Sequence, residues 1–108
     1  MSHEIEMKFP VPSLDRIRRA LRREGAVYLG TLLQTDCYFD TPKRSLMQAD
    51  RGLRIRRIRV LRGGAGEFDR RPQLTAKGPV KTNSRAKVRL ERQILVDDAA
   101  ALADVLSV

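Results

Sequence analysis

Glu4 and Glu6 stand two residues apart in "EIEMKF", and the alternation of a strand turns both carboxylates to one side. Two adjacent acids make a poor phosphate site. They suit a hard divalent cation, Mg2+ or Mn2+, that bridges to phosphate oxygens. Further along, Arg54 and Arg56 share one face of "LRIRRIRVL", and Thr75 and Lys77 share one face of "QLTAKG". In "RAKVRLERQI", Arg85, Lys87, Arg89, Glu91 and Gln93 alternate with Ala86, Val88 and Leu90. Arginine suits two-pronged phosphate contacts. Bringing Arg54, Arg56, Lys77, Arg85, Lys87 and Arg89 together causes repulsion unless anions compensate. Acids for a metal beside bases for phosphate are the chemistry of a metal–polyphosphate complex. Two plainer arrangements fit the same spacing. One is an antiparallel sheet with a solvated face; the other is mutual salt bridging with no ligand.

Composition narrows the partners. The 108 residues carry 22 Lys and Arg against 13 Asp and Glu, a net charge of +9, which favours anionic partners. With 42% apolar and 32% charged residues, the chain reads as a globular domain. A chain this short buries only ~60–68% of its unfolded surface, so its core is small. Trp is absent and aromatics are 5%, which leaves little to stack bases on, so nucleic acid is a poor candidate partner. No apolar run approaches the roughly 20 residues that span a bilayer, and no signal-peptide pattern opens the chain. The lone Cys37 and lone His3 exclude an internal disulfide and a zinc cluster. No GxxxxGK[ST] occurs, so the phosphate site is not a P-loop. These features read as a cytoplasmic protein without a membrane partner.

The elements that must hold these residues follow from changes in hydrophobic period. His3 to Phe9 alternates as a strand, and Pro10 and Pro12 end it. Ser13 is a good N-cap for a helix running to Glu24, with Leu14, Ile17 and Leu21 on one stripe and Gly25 as its stop. Leu32 to Phe39 reads as a strand, with pairing reaching back towards Val27. Leu46 and Met47 form a short anchor after the turn "DTPKRS". A strand runs from Gly52 to Leu61, and the glycine-rich "RGGAGEFDRR" is a hairpin loop. Gln73 to Lys77 is a short strand ended by Gly78-Pro79, and "VKTNS" is a loop. Arg85 to Val96 is a long strand, and Asp97 or Asp98 caps a helix over Ala99 to Leu106. The order β-α-β-β-β-β-α has too few helices for parallel crossovers. It predicts an α+β fold with an antiparallel sheet.

The motifs together resemble the CYTH domain of the triphosphate tunnel metalloenzyme superfamily. "EIEMK" matches its ExExK signature. It is followed in order by "QTDCYFDTP", "GLRIRR", "LTAKGP" and "RLERQILVDD". The set looks most like the class IV adenylate cyclase branch. The resemblance implies a closed antiparallel tunnel of about eight strands, flanked by helices and lined by charged side chains. It implies a Mg2+- or Mn2+-dependent enzyme acting on a triphosphate: ATP, thiamine triphosphate or inorganic triphosphate. The activity would be cyclisation of ATP to cyclic AMP and pyrophosphate, or triphosphate hydrolysis. A noncatalytic nucleotide- or polyphosphate-binding module is the alternative.

Carried over by motif, Glu4 and Glu6 hold the metal, with Glu91 as a further candidate ligand. Lys8 contacts phosphate or orients the attacking group. Arg54, Arg56, Lys77 and Arg89 bind phosphates. The chain stops at Val108, near the middle of the family pattern. It is therefore expected to be one truncated CYTH-like domain, residues 1–108, the N-terminal part of the tunnel and inactive as such. A truncated gene product, or a homodimer that closes a composite barrel, would account for the same length.

Overall fold

The computed structural model describes residues 2–63, 69–81 and 85–108. Strands β1 (Ser2–Glu6), β2 (Gly30–Phe39), β3 (Gly52–Gly63), β4 (Gln73–Lys81) and β5 (Lys87–Leu95) form one antiparallel sheet in the order β1-β5-β4-β3-β2. Helices α1 (Leu14–Arg23), α2 (Ser45–Gln48) and α3 (Ala99–Leu106) lie between and after them. The α+β class and the antiparallel pairing agree with the sequence reading. The first strand pairs with the last, and the other three follow as a meander.

Several boundaries differ for local reasons. β1 stops at Glu6, because its partner β5 begins at Lys87, opposite Glu6. Met7 to Phe9, expected in the strand, have no ladder to join. β2 starts at Gly30 instead of Leu32, because Gly30 and Thr31 still find Gly63 and Arg62 across the ladder. β4 runs through Gly78-Pro79, where a stop was expected. An irregularity in register between Lys77 and Val80 absorbs the proline, which has no N–H to give to the ladder. The expected loops at residues 64–68 and 82–84 lie outside the described residues.

The helix ends follow the capping rules. Ser13 Oγ accepts from Arg16 N at 3.4 Å, and Asp98 Oδ1 accepts from Ala101 N at 2.9 Å. Asp40 starts α2 by accepting from the backbone N–H groups of Thr41, Leu46 and Met47. Among the described residues Ile55 and Ala99 are the buried apolar side chains, one on β3 and one on α3, and these two elements pack together. α1 buries no side chain, and its stripe of Leu14, Ile17 and Leu21 is exposed.

Among the described residues the sheet is open, with β1 and β2 as its edges, so the closed tunnel implied by the resemblance is not formed. Five strands are fewer than the roughly eight that close a barrel around packed side chains. No described helix is long and apolar enough to cross a membrane.

Gly63 fixes where β2 and β3 meet. Its φ is +68°, and a Cβ there would lie 2.9 Å from Gly30 Cα and 3.1 Å from Leu29 O. Both obstacles are backbone and cannot swing aside. Gly63→Ala is expected to lower stability by about 1–3 kcal/mol in urea unfolding. Unchanged stability would contradict the close approach of these strands.

Candidate functional site

The register places the predicted charged residues on one face of the sheet. Across β5, β4, β3 and β2, Gln93 pairs with Thr75, Thr75 with Arg54, and Arg54 with Tyr38. One step along, Arg56 lies between Gln73 and Asp36. On the other side, Glu91 bridges the Lys77 and Ser2 positions, and Glu4 sits opposite Arg89. Arg54, Arg56, Lys77, Glu4 and Glu91 thus come from four strands to one polar face. This is the gathering that period-two alternation anticipates.

Each cation there has a different partner. Lys77 Nζ lies 2.6 Å from the buried Oε2 of Glu4, which has no aligned hydrogen-bond donor, and 3.8 Å from Glu91 Oε2. Arg56 grips Asp36 with two prongs, Nε to Oδ1 at 2.7 Å and Nη2 to Oδ2 at 2.9 Å. Arg54 is only 7% exposed, yet its nearest acceptor is a neutral one, Thr75 Oγ1, 3.4 Å from Nη2. Thr75 is fully buried and donates onward to Gln93 Oε1 at 3.1 Å. The Arg54 Nε is buried without a hydrogen-bond partner among the described residues. Among the described residues Arg54 forms no direct ion pair, although its charge acts through space on Asp36 and Glu91, and a buried guanidinium without a paired anion is costly.

The acids are coupled. A hydrogen bond from Glu91, and then the Lys77 ammonium, pull the Glu4 carboxyl down to about 2. The same contact with Glu4, together with burial, pushes Glu91 above its ordinary value. The contact thus drives the two carboxyls apart, Glu4 downward and Glu91 upward. Asp36 is also held low, first by its hydrogen bonds from Arg56.

The other predicted residues make different contacts. Glu6 is on the Glu4 face, helps to lower the Glu4 carboxyl, and pairs with Lys8 at 3.4 Å. Lys8 lies beyond β1 and is largely exposed. Arg89 donates from Nε to Gly78 O at 2.9 Å and from Nη2 to Asp50 O at 3.1 Å. Three participants were not singled out from sequence: Asp36, Thr75 as the buried relay, and Asp50. Asp36 was legible as the one acid in "LLQTDCYF", at the right parity to face Arg56. Thr75 and Asp50 carry no comparable signal.

The metal expected from the acids meets a sparse donor set. Among the described residues no cluster of three or more acidic, histidine or cysteine side chains is arranged to hold one. Glu4 and Glu91 remain as a carboxyl pair in contact. One or two carboxylates, completed by water and phosphate oxygens, are what Mg2+ ordinarily takes from a protein, so these residues fit such an ion.

Surface hollows flank this face and the α1 side. One of about 560 Å3 lies at the Tyr38 end of the polar face, lined by Tyr38, Met47, Gly52 and Arg89 among others. A larger one, about 870 Å3, lies between α1 and the β2–β3 edge. Arg18, Arg22 and Arg62 line it and no carboxylate does, so it lacks the acids of the polar face.

With this geometry the protein can be placed. Residues 2–107 match the family model described as "CYTH domain", so the chain belongs to the CYTH family. The match does not single out the class IV cyclase branch, and it lends no support to the expectation of an N-terminal part only. No curated protein and no solved structure matches the chain.

The Glu4–Glu91 pair gives a signed pH effect. A carboxyl whose folded pKa is raised contributes stability that is full below its unfolded value, near 4.5, and is lost as pH rises through the folded value. Glu91→Gln is expected to abolish that loss, flattening the stability curve above pH 4.5 in urea unfolding. Glu4 acts with the opposite sign: its contribution is present above 4.5 and fades as pH falls towards about 2. A Glu91→Gln protein with the wild-type slope above pH 4.5 would contradict the upward shift of Glu91.

Proposed function

We propose that this CYTH protein binds a triphosphate on the polar face of its sheet, with Mg2+ or Mn2+ held by Glu4 and Glu91, and Glu6 as a further ligand. The observation that carries this reading is Arg54. It is more than nine-tenths buried, and among the described residues its Nε has no hydrogen-bond partner and its guanidinium no direct ion pair. A phosphate oxygen is the ligand that would satisfy it. Lys77, now paired with Glu4, would turn to a second phosphate once a metal takes over the carboxylates. Arg56 keeps one nitrogen clear of its Asp36 grip and would add a third contact.

Bound in this way, a triphosphate meets fixed charges that need not reorganise as negative charge shifts between its phosphates. Asp36 holds Arg56 in place, and the Thr75–Gln93 relay holds Arg54. The divalent ion would neutralise phosphate charge when bound. Two enzymatic outcomes fit this site: cyclisation of ATP to cyclic AMP and pyrophosphate, or hydrolysis of ATP, thiamine triphosphate or inorganic triphosphate. The hollow beside Tyr38 would take the organic part of such a substrate. The open sheet favours a second reading, a binding module that holds the triphosphate without turning it over.

Incubation with ATP or inorganic triphosphate and Mg2+ or Mn2+, followed for cyclic AMP and phosphate, separates these outcomes. Arg54→Met supplies a sharper test of the site. It removes an unpaired buried charge and keeps most of the volume, so thermal stability is expected to hold or rise. Triphosphate affinity is expected to fall by roughly 10- to 100-fold. A variant that loses stability and keeps its affinity would sink the assignment.

A further inference from the structure

We propose that Asp50 and Arg89 are positioning residues for Lys77, acting through the bulge that follows it. The inference rests on the triphosphate reading for its functional meaning, and on backbone hydrogen bonds for its geometry. Lys77 pairs with Glu91 and Val80 with Arg89, so Gly78 and Pro79 together face Leu90 alone. The extra residue breaks the ladder and leaves backbone groups to be matched by other means.

Asp50 and Arg89 match them. Val80 N donates to Asp50 Oδ2 at 2.8 Å, and Gly78 O accepts from Arg89 Nε at 2.9 Å. The two residues then lock onto each other. Arg89 Nη2 donates to Asp50 O at 3.1 Å and lies 3.5 Å from Asp50 Oδ1. Asp50 itself has φ of +54°, a left-handed turn that brings its side chain and its carbonyl together onto β4 and β5.

The clamp begins at the residue after Lys77. Lys77 must point to the polar face for its ammonium to reach Glu4, and a bulge is a place where a strand re-aims a side chain. Without Asp50 and Arg89, the bulged segment loses its fixed register, and Lys77 loses the direction that puts it 2.6 Å from Glu4. The Arg89 guanidinium therefore serves backbone carbonyls and Asp50, and its effect on a bound triphosphate passes through Lys77.

Two readouts on the full chain test this. Asp50→Gly tolerates the left-handed turn and removes the carboxylate; Arg89→Met removes the guanidinium. The first readout is the Lys77 side-chain ammonium resonance in 15N NMR, identified by its loss in Lys77→Gln. It is expected to broaden in both variants as the Glu4 pair loosens. The second is binding of inorganic triphosphate with Mg2+ by calorimetry. Each variant is expected to bind about tenfold more weakly, and the double variant no more weakly than either, because coupled residues are non-additive.

An unchanged Lys77 resonance, or losses that multiply in the double variant, would overturn the proposal. Multiplying losses would instead put Arg89 in direct contact with phosphate. Where Asp50→Gly fails to fold, Asp50→Asn with the Lys77 resonance decides the same question. If the wild type binds no triphosphate, the functional reading fails, while the Lys77 resonance still decides the clamp.

Discussion

Like charges on one sheet face must be compensated, and the polar face of this sheet is arranged around that requirement. Arg56 is met by Asp36, Lys77 by Glu4 and Glu91, and Arg89 by Asp50 with two backbone carbonyls. Arg54 hydrogen-bonds a hydroxyl and forms no direct ion pair among the described residues, and it is the most buried of the four. Charge pairs on an exposed surface contribute little. Here burial raises the stakes, since a removed partner leaves a charge that water cannot reach. The sheet tolerates Arg54 because its neighbours hold it in place. That imbalance is the physical basis for reading the face as a ligand site.

The backbone serves the same end. β1 lies beside β5 and not beside β2, which brings the Glu4 carboxylate from the first residues of the chain to Lys77 and Glu91. The bulge after Lys77 takes the proline, which has no N–H to give, out of the regular ladder of β4. The apolar side is less complete. Ile55 and Ala99 are buried on β3 and α3, which pack together, while Ile5 and Phe9 remain largely exposed. The polar face thus shields its arginine better than the apolar face shields its isoleucine at β1.

Much of this was legible from residue order. Period-two alternation placed Arg54, Arg56, Lys77, Glu4 and Glu91 on one face, Ser13 announced its helix, and the Asp97–Asp98 pair announced the last one, which Asp98 caps. Pairing was less legible. Alternation says which residues share a face but not which strands are neighbours, so the Glu4–Lys77 contact could not be read from spacing. Gly78-Pro79 looked like a terminator, because the Asp50 and Arg89 side chains that rescue its backbone are distant in sequence. Glu6 and Lys8, which share the motif with Glu4, pair with each other where the ladder ends. The open sheet is the widest departure from the expected tunnel. Closure depends on strands the described residues do not supply.

The central claim is that Arg54 waits for an anion. The most direct measurement is the Arg54 Nε–Hε resonance, followed by NMR while inorganic triphosphate and Mg2+ are added. The account expects this signal to be protected from exchange beforehand, and to shift at the lowest triphosphate concentrations as its buried proton gains an acceptor. A response confined to the exposed arginines of α1, Arg16 to Arg23, with Arg54 unmoved, would contradict it and make the net positive charge a nonspecific surface.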